Sequence, residues 1–358
     1  MKIQHLLFLS ILVSIACLAK TIKCIDLSWH CPDAKYLQEH LPDIERTTPL
    51  DGLTIAFQGD PIEYNGETFV PKFWNAWANK PWTFDVFADF IARMQGLHFT
   101  TITDNFLYLT TNEADFDWLS DKDWKIVARN FGIAARVARE SRMKGFLLDF
   151  EQYGIHFWEY KEAKGKPTFQ QMEEVAFRRG QQWGRAVFKE FPDIILFLPY
   201  AFAFGKTNLS NAFLNGIFDV MPPKALLYEG DESNSYRART HDQFQQLRRN
   251  LDKAIQNDTY PKNRSKARKQ TRLAPGFYMD ALFPKDGAPA GRVQMVCDCI
   301  REAAAVADTY IWFYGEKRCW WRNSMNKKYQ EIWDDAPNAQ GLTEAIRAVK
   351  KELKKKGN

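Results

Sequence analysis

The chain has 358 residues, 45% of them hydrophobic and 26% charged, the proportions of an ordinary globular protein with a sizeable core. The length admits one or two domains, a single α/β barrel included. A formal net charge of +5 is too mild to require nucleic acid or an anionic membrane as partner.

The first 19 residues read as a signal peptide outside the fold. Lys2 supplies a positive start, and "LLFLSILVSIACLA" is an apolar run of signal-peptide length, short for a membrane span. Small residues at Cys17 and Ala19 suit cleavage after Ala19. Export, to the periplasm or the medium, is therefore expected. Cys17 as a lipoprotein anchor is the weaker reading, because Ser14 and Ile15 fit the pre-cysteine pattern poorly. No other stretch is apolar for long enough to span a bilayer.

Residues 20–358 then alternate strand-like apolar runs with amphipathic helical stretches. The strand-like runs are "CIDLSWH" (24–30), "LTIAFQG" (53–59), "FTTITDN" (99–105), "GFLLDFE" (145–151), "IILFLPY" (194–200), "ALLYEGD" (225–231), "RLAPGFYMD" (272–280) and "YIWFYGE" (310–316). Helical patterns separate them, and "LTEAIRAVKKELKKK" closes the chain with a basic amphipathic helix. Near-continuous apolar strands alternating with helices imply parallel strands covered on both faces. Eight such units match one (β/α)8 barrel domain of the α/β class. The rival, a doubly wound open sheet, usually has fewer strands, and no glycine-rich phosphate loop follows any strand here.

Several features sit outside the strands. A loop at 61–83 carries Trp74, Trp77 and Trp82, and its length suggests a lid or cleft wall. The basic stretch 260–272 reads as a solvated loop, since no aromatic residues interleave its charges after Tyr260. Cys24 and Cys31 are near enough in sequence for a local disulfide, whereas Cys297 and Cys299 read as buried helical thiols. Asn208, Asn257 and Asn263 head glycosylation sequons, relevant only in a host that uses them.

In such a barrel, chemistry gathers at the C-terminal ends of the strands. Those ends offer Trp29 and His30, Asp104 and Asn105, Asp149 and Glu151, Tyr200, Tyr228, Glu229 and Asp231, Tyr278 and Asp280, and Tyr314 and Glu316. Carboxylates protonate and attack, amides and hydroxyls hold sugar hydroxyls, and aromatic rings stack on sugar faces. On the eighth strand Tyr310, Trp312 and Tyr314 share one face, with Trp320 and Trp321 just beyond. Trp312 either floors a sugar site or fills the interior.

The fourth strand is the most specific piece. Alternate side chains share a face, so Leu147, Asp149 and Glu151 point together into the barrel. Phe146, Leu148 and Phe150 then face the helices. Residues two apart on a strand lie ~6.5–7 Å apart. Close carboxylates resist joint ionisation, which raises one pKa and makes a proton donor near neutrality. Glu151 is the expected donor and Asp149 the group that orients or attacks.

Asp149-Phe150-Glu151, at the end of a fourth strand, resembles the end of the glycoside hydrolase family 18 signature found in chitinases. That resemblance implies a Glu151 proton donor and an Asp149 that positions an acetamido group. The positions upstream are Phe146 and Leu147, where that signature carries further acids, and "LLYEGD" stands where it has Met-x-Tyr-Asp. The wider group of barrel glycoside hydrolases is similar too. One arrangement in that group would pair Glu151 with Asp280 on strand seven. Another would pair Asp149 with Glu229 or Asp231 on strand six. The expectation is therefore an exported glycoside hydrolase acting on an oligo- or polysaccharide. Asp149, Glu151, Glu229 and Asp280 are its candidate catalytic carboxylates. Trp29, Asp104, Asn105, Tyr200, Tyr228, Tyr278, Trp312 and Glu316 are its candidate substrate contacts. No cofactor, resident metal or nucleic-acid partner is expected, and the oligomeric state is open. The alternatives are a non-catalytic carbohydrate-binding barrel and a metal-dependent hydrolase using Asp104, Asp149 and Glu151.

Overall fold

A computed structural model describes residues 21–28, 30–152, 156–202, 208–284, 291–322 and 331–356. The stretch expected to be a signal peptide and Trp29 lie outside these residues. Among them, no helix is long and apolar enough to cross a membrane.

The chain begins with β1 (Lys23–Asp26), α1 (Ala34–Thr47) and β2 (Gly52–Ile55). A hairpin of β3 (Ile62–Tyr64) and β4 (Glu67–Phe69) leads to α2 (Ala88–Gly96). Then come β5 (Phe106–Leu109), α3 (Asp121–Glu140), β6 (Gly145–Leu148), α4 (Phe169–Glu190), β7 (Ile195–Leu198) and α5 (Ser210–Val220). The strand β8 (Leu226–Glu229) precedes α6 (Glu232–Ser235), α7 (His241–Asp258) and α8 (Arg264–Gln270). Last are β9 (Thr271–Leu273), β10 (Gly276–Tyr278), α9 (Met279–Leu282), α10 (Arg292–Val306), β11 (Tyr310–Tyr314) and α11 (Leu342–Lys356). The basic stretch read as a loop thus contains the helix α8.

The main sheet runs β10-β11-β1-β2-β5-β6-β7-β8-β9, every pairing parallel. Its two ends, β9 and β10, are halves of one strand, interrupted at Ala274-Pro275. Pro275 has no N–H to give a ladder. Ala274 N donates to Glu229 O at 2.9 Å on one side, and Trp312 N donates to Pro275 O at 3.1 Å on the other. The broken strand joins the sixth strand to the eighth and closes an eight-unit (β/α)8 barrel, as the alternation implied.

Two apolar layers follow from strand parity. Ile25, Phe106, Tyr108, Leu147, Phe197, Tyr228, Tyr310 and Trp312 fill the barrel interior. Phe146, Leu148, Phe150, Ile311 and Phe313 belong to the separate layer under the helices. The helices present matching stripes. On α3, Trp124, Val127, Phe131, Ala134 and Ala138 are buried at three- and four-residue spacing, behind a Ser120 cap that accepts from Asp123 N. Gly145 opens β6 because a Cβ there would lie 2.0 Å from Ile195 O. Gly276 lets the strand-seven backbone lie against Trp312, whose ring would be 2.2 Å from an added Cβ.

The Trp-rich loop is mostly core. Trp77 and Trp82 are fully buried, and Trp77 meets Phe131, Phe150 and Trp158. Trp74 stays at the surface, bonded to Glu113. Trp320 and Trp321 are also buried, Trp320 against Phe313 and Trp333. The five cysteines from Cys24 onward are free thiols, so Cys24 and Cys31 form no bridge. Cys24 faces the helix layer, whereas the Cys31 thiol bonds Ser28 O and Thr54.

Candidate active site

A narrow cleft opens over the C-terminal ends of the strands. Trp312 lies in its floor, and Tyr108, Tyr236 and Tyr314 supply aromatic wall. Asp149, Glu151 and Glu232 are its acids, and Ser28 and Cys31 its small polar groups.

Asp149 and Glu151 reach this cleft together because Leu147, below them, faces the interior. Phe150, between them, packs outward on Trp158. Asp149 is buried and Glu151 is exposed. The Asp149 Oδ1 accepts the Glu151 backbone N–H at 2.8 Å, and the Tyr200 hydroxyl stands 3.5 Å from the same oxygen. Thr111, just past β5, donates its hydroxyl to Glu151 O and ties that turn to the next strand.

Glu232 was not among the sequence candidates. It starts α6 after a tight turn at Asp231, whose φ of 43° is left-handed. Its N–H donates to Pro199 O at 3.1 Å, which anchors it to the end of β7. Burial, then the charge of Glu151, push its carboxyl up to about 7, while a hydrogen bond with the Tyr236 hydroxyl pulls the other way. The Tyr236 ring is held by Trp312 at 5.4 Å and lies parallel to Tyr314 at 6.1 Å.

Glu229 is a correction. Leu226 and Tyr228 face inward, so Glu229 faces out. Its two carboxyl oxygens accept Ala201 N at 2.6 Å and Asp231 N at 2.8 Å. With Asp231 it lines a separate pocket beside α7, containing Asn234 and Asn250. Burial, then Asp231, push Glu229 up to about 8. Its position serves the backbone that carries Tyr200 and Glu232.

Asp104 and Asn105 are a second correction. The third strand starts at Phe106, not at 99, so both residues precede it and sit at the opposite, N-terminal end of the barrel. Asp104 accepts from Lys23 Nζ at 2.5 Å and from the Tyr310 hydroxyl at 2.7 Å, both at strand starts. Burial opposes its charge, but these bonds hold its carboxyl below the usual range. Asn105 pins Leu53 N at 3.0 Å. Tyr228 is likewise deep in the interior, bonded to Thr309 and stacked on Phe197, rather than at the mouth.

The seventh and eighth strands end in a rim beside the cleft. Glu316 accepts the Tyr314 hydroxyl at 2.8 Å, and Asp280 Oδ2 accepts Glu316 N at 2.6 Å. Tyr278 packs against Tyr314 in a tilted arrangement, with ring centroids 5.4 Å apart. Asp280, in α9, lines no part of the cleft and acts through the strand-eight turn. Trp29 lies outside the described residues. Beneath the rim, burial pushes Asp26 up to about 7 and His30 down to about 3. Their 3.4 Å contact is therefore between a carboxyl group and a neutral imidazole at neutral pH. Ser28 joins this pair to the cleft by donating to Asp26 at 2.7 Å.

No protein-family model matches the chain, and no curated protein matches it. Solved structures similar to it include a glucosidase from Croceicoccus marinus, at 12% identity over 94% of this chain and 68% of that one, with a TM-score of 0.48. The catalytic domain of a hyperthermophilic chitinase from Pyrococcus furiosus matches at 10% identity over 94% and 97%, with a TM-score of 0.45. D-Psicose 3-epimerase from Clostridium cellulolyticum H10 matches at 10% over 93% and 99%, with a TM-score of 0.41. These are likenesses of overall shape, and the family 18 resemblance rests on Asp149-Phe150-Glu151 alone.

Proposed function

We propose that the chain is an exported glycoside hydrolase that cleaves an oligo- or polysaccharide at the C-terminal mouth of the barrel. One observation carries this reading: Glu232 and Glu151 line the same cleft, and their environments separate their roles. Glu232 is half-buried, with its carboxyl raised to about 7. It holds a proton near neutrality and donates it to the leaving glycosidic oxygen. Glu151, open to solvent, attacks the anomeric carbon or activates a water on the other face of the sugar. This moves the donor role from Glu151 to Glu232.

The neighbouring groups fit these roles. Asp149 holds the Glu151 backbone, Tyr236 orients Glu232, and half-buried Tyr314 offers a ring to a sugar, while fully buried Trp312 packs beneath. Glu232 favours catalysis over a purely binding barrel, since it is the second carboxylate such a barrel would lack. A metal site built from Asp104, Asp149 and Glu151 is ruled out by the placement of Asp104 at the other end of the barrel.

The test is a panel of oligosaccharides offered to the native chain, E232Q and E151Q, with product anomer followed by NMR. The native chain is expected to cleave at least one. Each variant should lose on the order of 10²–10⁴ in kcat, as removal of a general acid or base does. Undiminished turnover in both variants on that substrate overturns the assignment.

A further inference from the structure

We infer that Tyr278, Tyr314 and Glu316 form a subsite for the leaving-group sugar, so that the chain selects a sugar rather than a small group on the departing side of the scissile bond. The inference rests on the glycosidase reading and deepens it.

Strand pairing builds the apolar part of the subsite. Tyr278 on β10 and Tyr314 on β11 are register partners, as are Gly276 and Trp312 two residues earlier. The buried Trp312 ring lies against Gly276, so the two tyrosines stand above it at the strand ends. Their ring centroids are 5.4 Å apart, and Tyr236 lies 5.5 Å from Tyr278 and 6.1 Å from Tyr314. All three tyrosines are half-buried. Clustered phenol rings of this kind give a sugar ring apolar surface with polar groups at its edge.

Glu316 supplies the polar part. Its Oε1 accepts the Tyr314 hydroxyl at 2.8 Å. Its backbone N–H donates to Asp280 Oδ2 at 2.6 Å, which fixes where the carboxylate leaves the strand-eight turn. Burial, then the Glu316 charge and a hydrogen bond to Glu316, push the Tyr278 phenol up to about 12. Both rim phenols therefore meet one carboxylate. A carboxylate accepts about four hydrogen bonds, so this one can take sugar hydroxyls while the phenols hold it. These bonds exist before any sugar arrives, which lowers the cost of ordering the subsite.

Position decides which sugar it receives. Tyr236 touches both rim tyrosines, and its hydroxyl bonds Glu232. The proton donor of a glycosidase stands beside the departing oxygen. The surface next to Glu232 is therefore the one that meets the departing sugar. Tyr236 and Tyr314 also line the cleft, which makes cleft and rim one continuous surface.

The experiment compares kcat/KM of the full-length native chain, Y278A, Y278F and E316Q on two substrate sets. One is tetrasaccharides of glucose, mannose, xylose and N-acetylglucosamine, and the other is the glycosyl fluorides of the same sugars. Fluoride departs without a sugar for the rim to hold. On the tetrasaccharide that the native chain cleaves, Y278A and E316Q should each lose at least roughly tenfold, the worth of an aromatic contact or a hydrogen bond to a charged group. On the fluoride both should stay near the native value, and the alkaline limb of the profile should stay in place. Y278F keeps the ring and covers a poorly folding Y278A, with a smaller loss confined to the tetrasaccharide. Equal losses on both sets would show damage to the fold, and a moved limb would show action through Glu232. Either result overturns the inference and leaves the glycosidase reading standing, as does cleavage of fluorides alone. Cleavage of neither set by the native chain overturns both.

Discussion

The Asp149 carboxylate and the Glu151 backbone form one turn: Oδ1 of Asp149 accepts the Glu151 N–H at 2.8 Å. This bond decides where Glu151 leaves the strand and enters the cleft. It also fills one acceptor position of Asp149.

Two variants separate these effects. D149N keeps an acceptor oxygen for the Glu151 N–H and removes the charge. D149A removes both. D149A is therefore expected to lose about 0.5–1.5 kcal/mol more transition-state stabilisation than D149N, the range of a neutral hydrogen bond. Steady-state kcat/KM of the two variants checks this, and equal losses would show that the turn plays no part.

Tyr236 acts through Glu232. Its hydroxyl bond lowers the Glu232 carboxyl against the larger upward push of burial and of Glu151. In Y236F that restraint is gone, so Glu232 keeps its proton to higher pH. The alkaline limb of the kcat/KM profile, expected near 7 for the native chain, should move upward while the rate falls modestly. A limb that stays in place would detach Tyr236 from Glu232.

Glu229 and Glu232 should behave in opposite ways. In Glu229 both carboxyl oxygens accept backbone N–H groups, so E229Q turns an NH2 towards a buried donor. The expected loss is about 1–3 kcal/mol of stability, the penalty of an unsatisfied buried polar group. The alkaline limb should persist. E232Q should remove that limb and leave the melting temperature nearly unchanged. Urea unfolding and pH profiles on both variants test the contrast.

Stability should fall as pH rises through neutrality. Burial raises Asp26 to about 7 and Glu229 to about 8, and burial with the Glu151 charge raises Glu232 to about 7. A carboxyl group with a raised folded-state pKa binds its proton more tightly folded than unfolded. Its contribution is full below the ordinary carboxylate pKa and is lost as pH rises through the folded value. Denaturant unfolding at a series of pH values from about 5 to 9 should show a steady decline. D26N should flatten part of it. A flat native curve over that window would contradict the raised values.

The barrel was legible because its signal is local. Apolar runs of strand length alternating with amphipathic helices leave few architectures, and parity within a run sets inside from outside. That rule placed Leu147 in the interior and Phe146, Leu148 and Phe150 under the helices. It also put Tyr310, Trp312 and Tyr314 on the inward face. The same rule applied from Tyr228 turns Glu229 outward, a signal present in the sequence that strand-end position alone obscured. Asp104 and Asn105 were misplaced because β-branched "FTTIT" mimics a strand, while the true ladder begins one residue after Asn105. The tryptophans at 77 and 82 looked like a lid because loop sequence does not say which way a ring turns. Their rings fill the space between α3 and the barrel's outer layer.

By itself the sequence determined the eight-unit alternation, the inward pair Asp149 and Glu151, and the aromatic face of the last strand. All three depend on residue spacing within a single segment. Only the tertiary structure decided that Glu232 faces that pair. Its placement depends on a left-handed turn at Asp231 and a backbone bond to Pro199, and its raised carboxyl depends on burial and on Glu151, 81 residues earlier in the chain. Parity is set along a strand, whereas the electrostatics of a cleft are set across it.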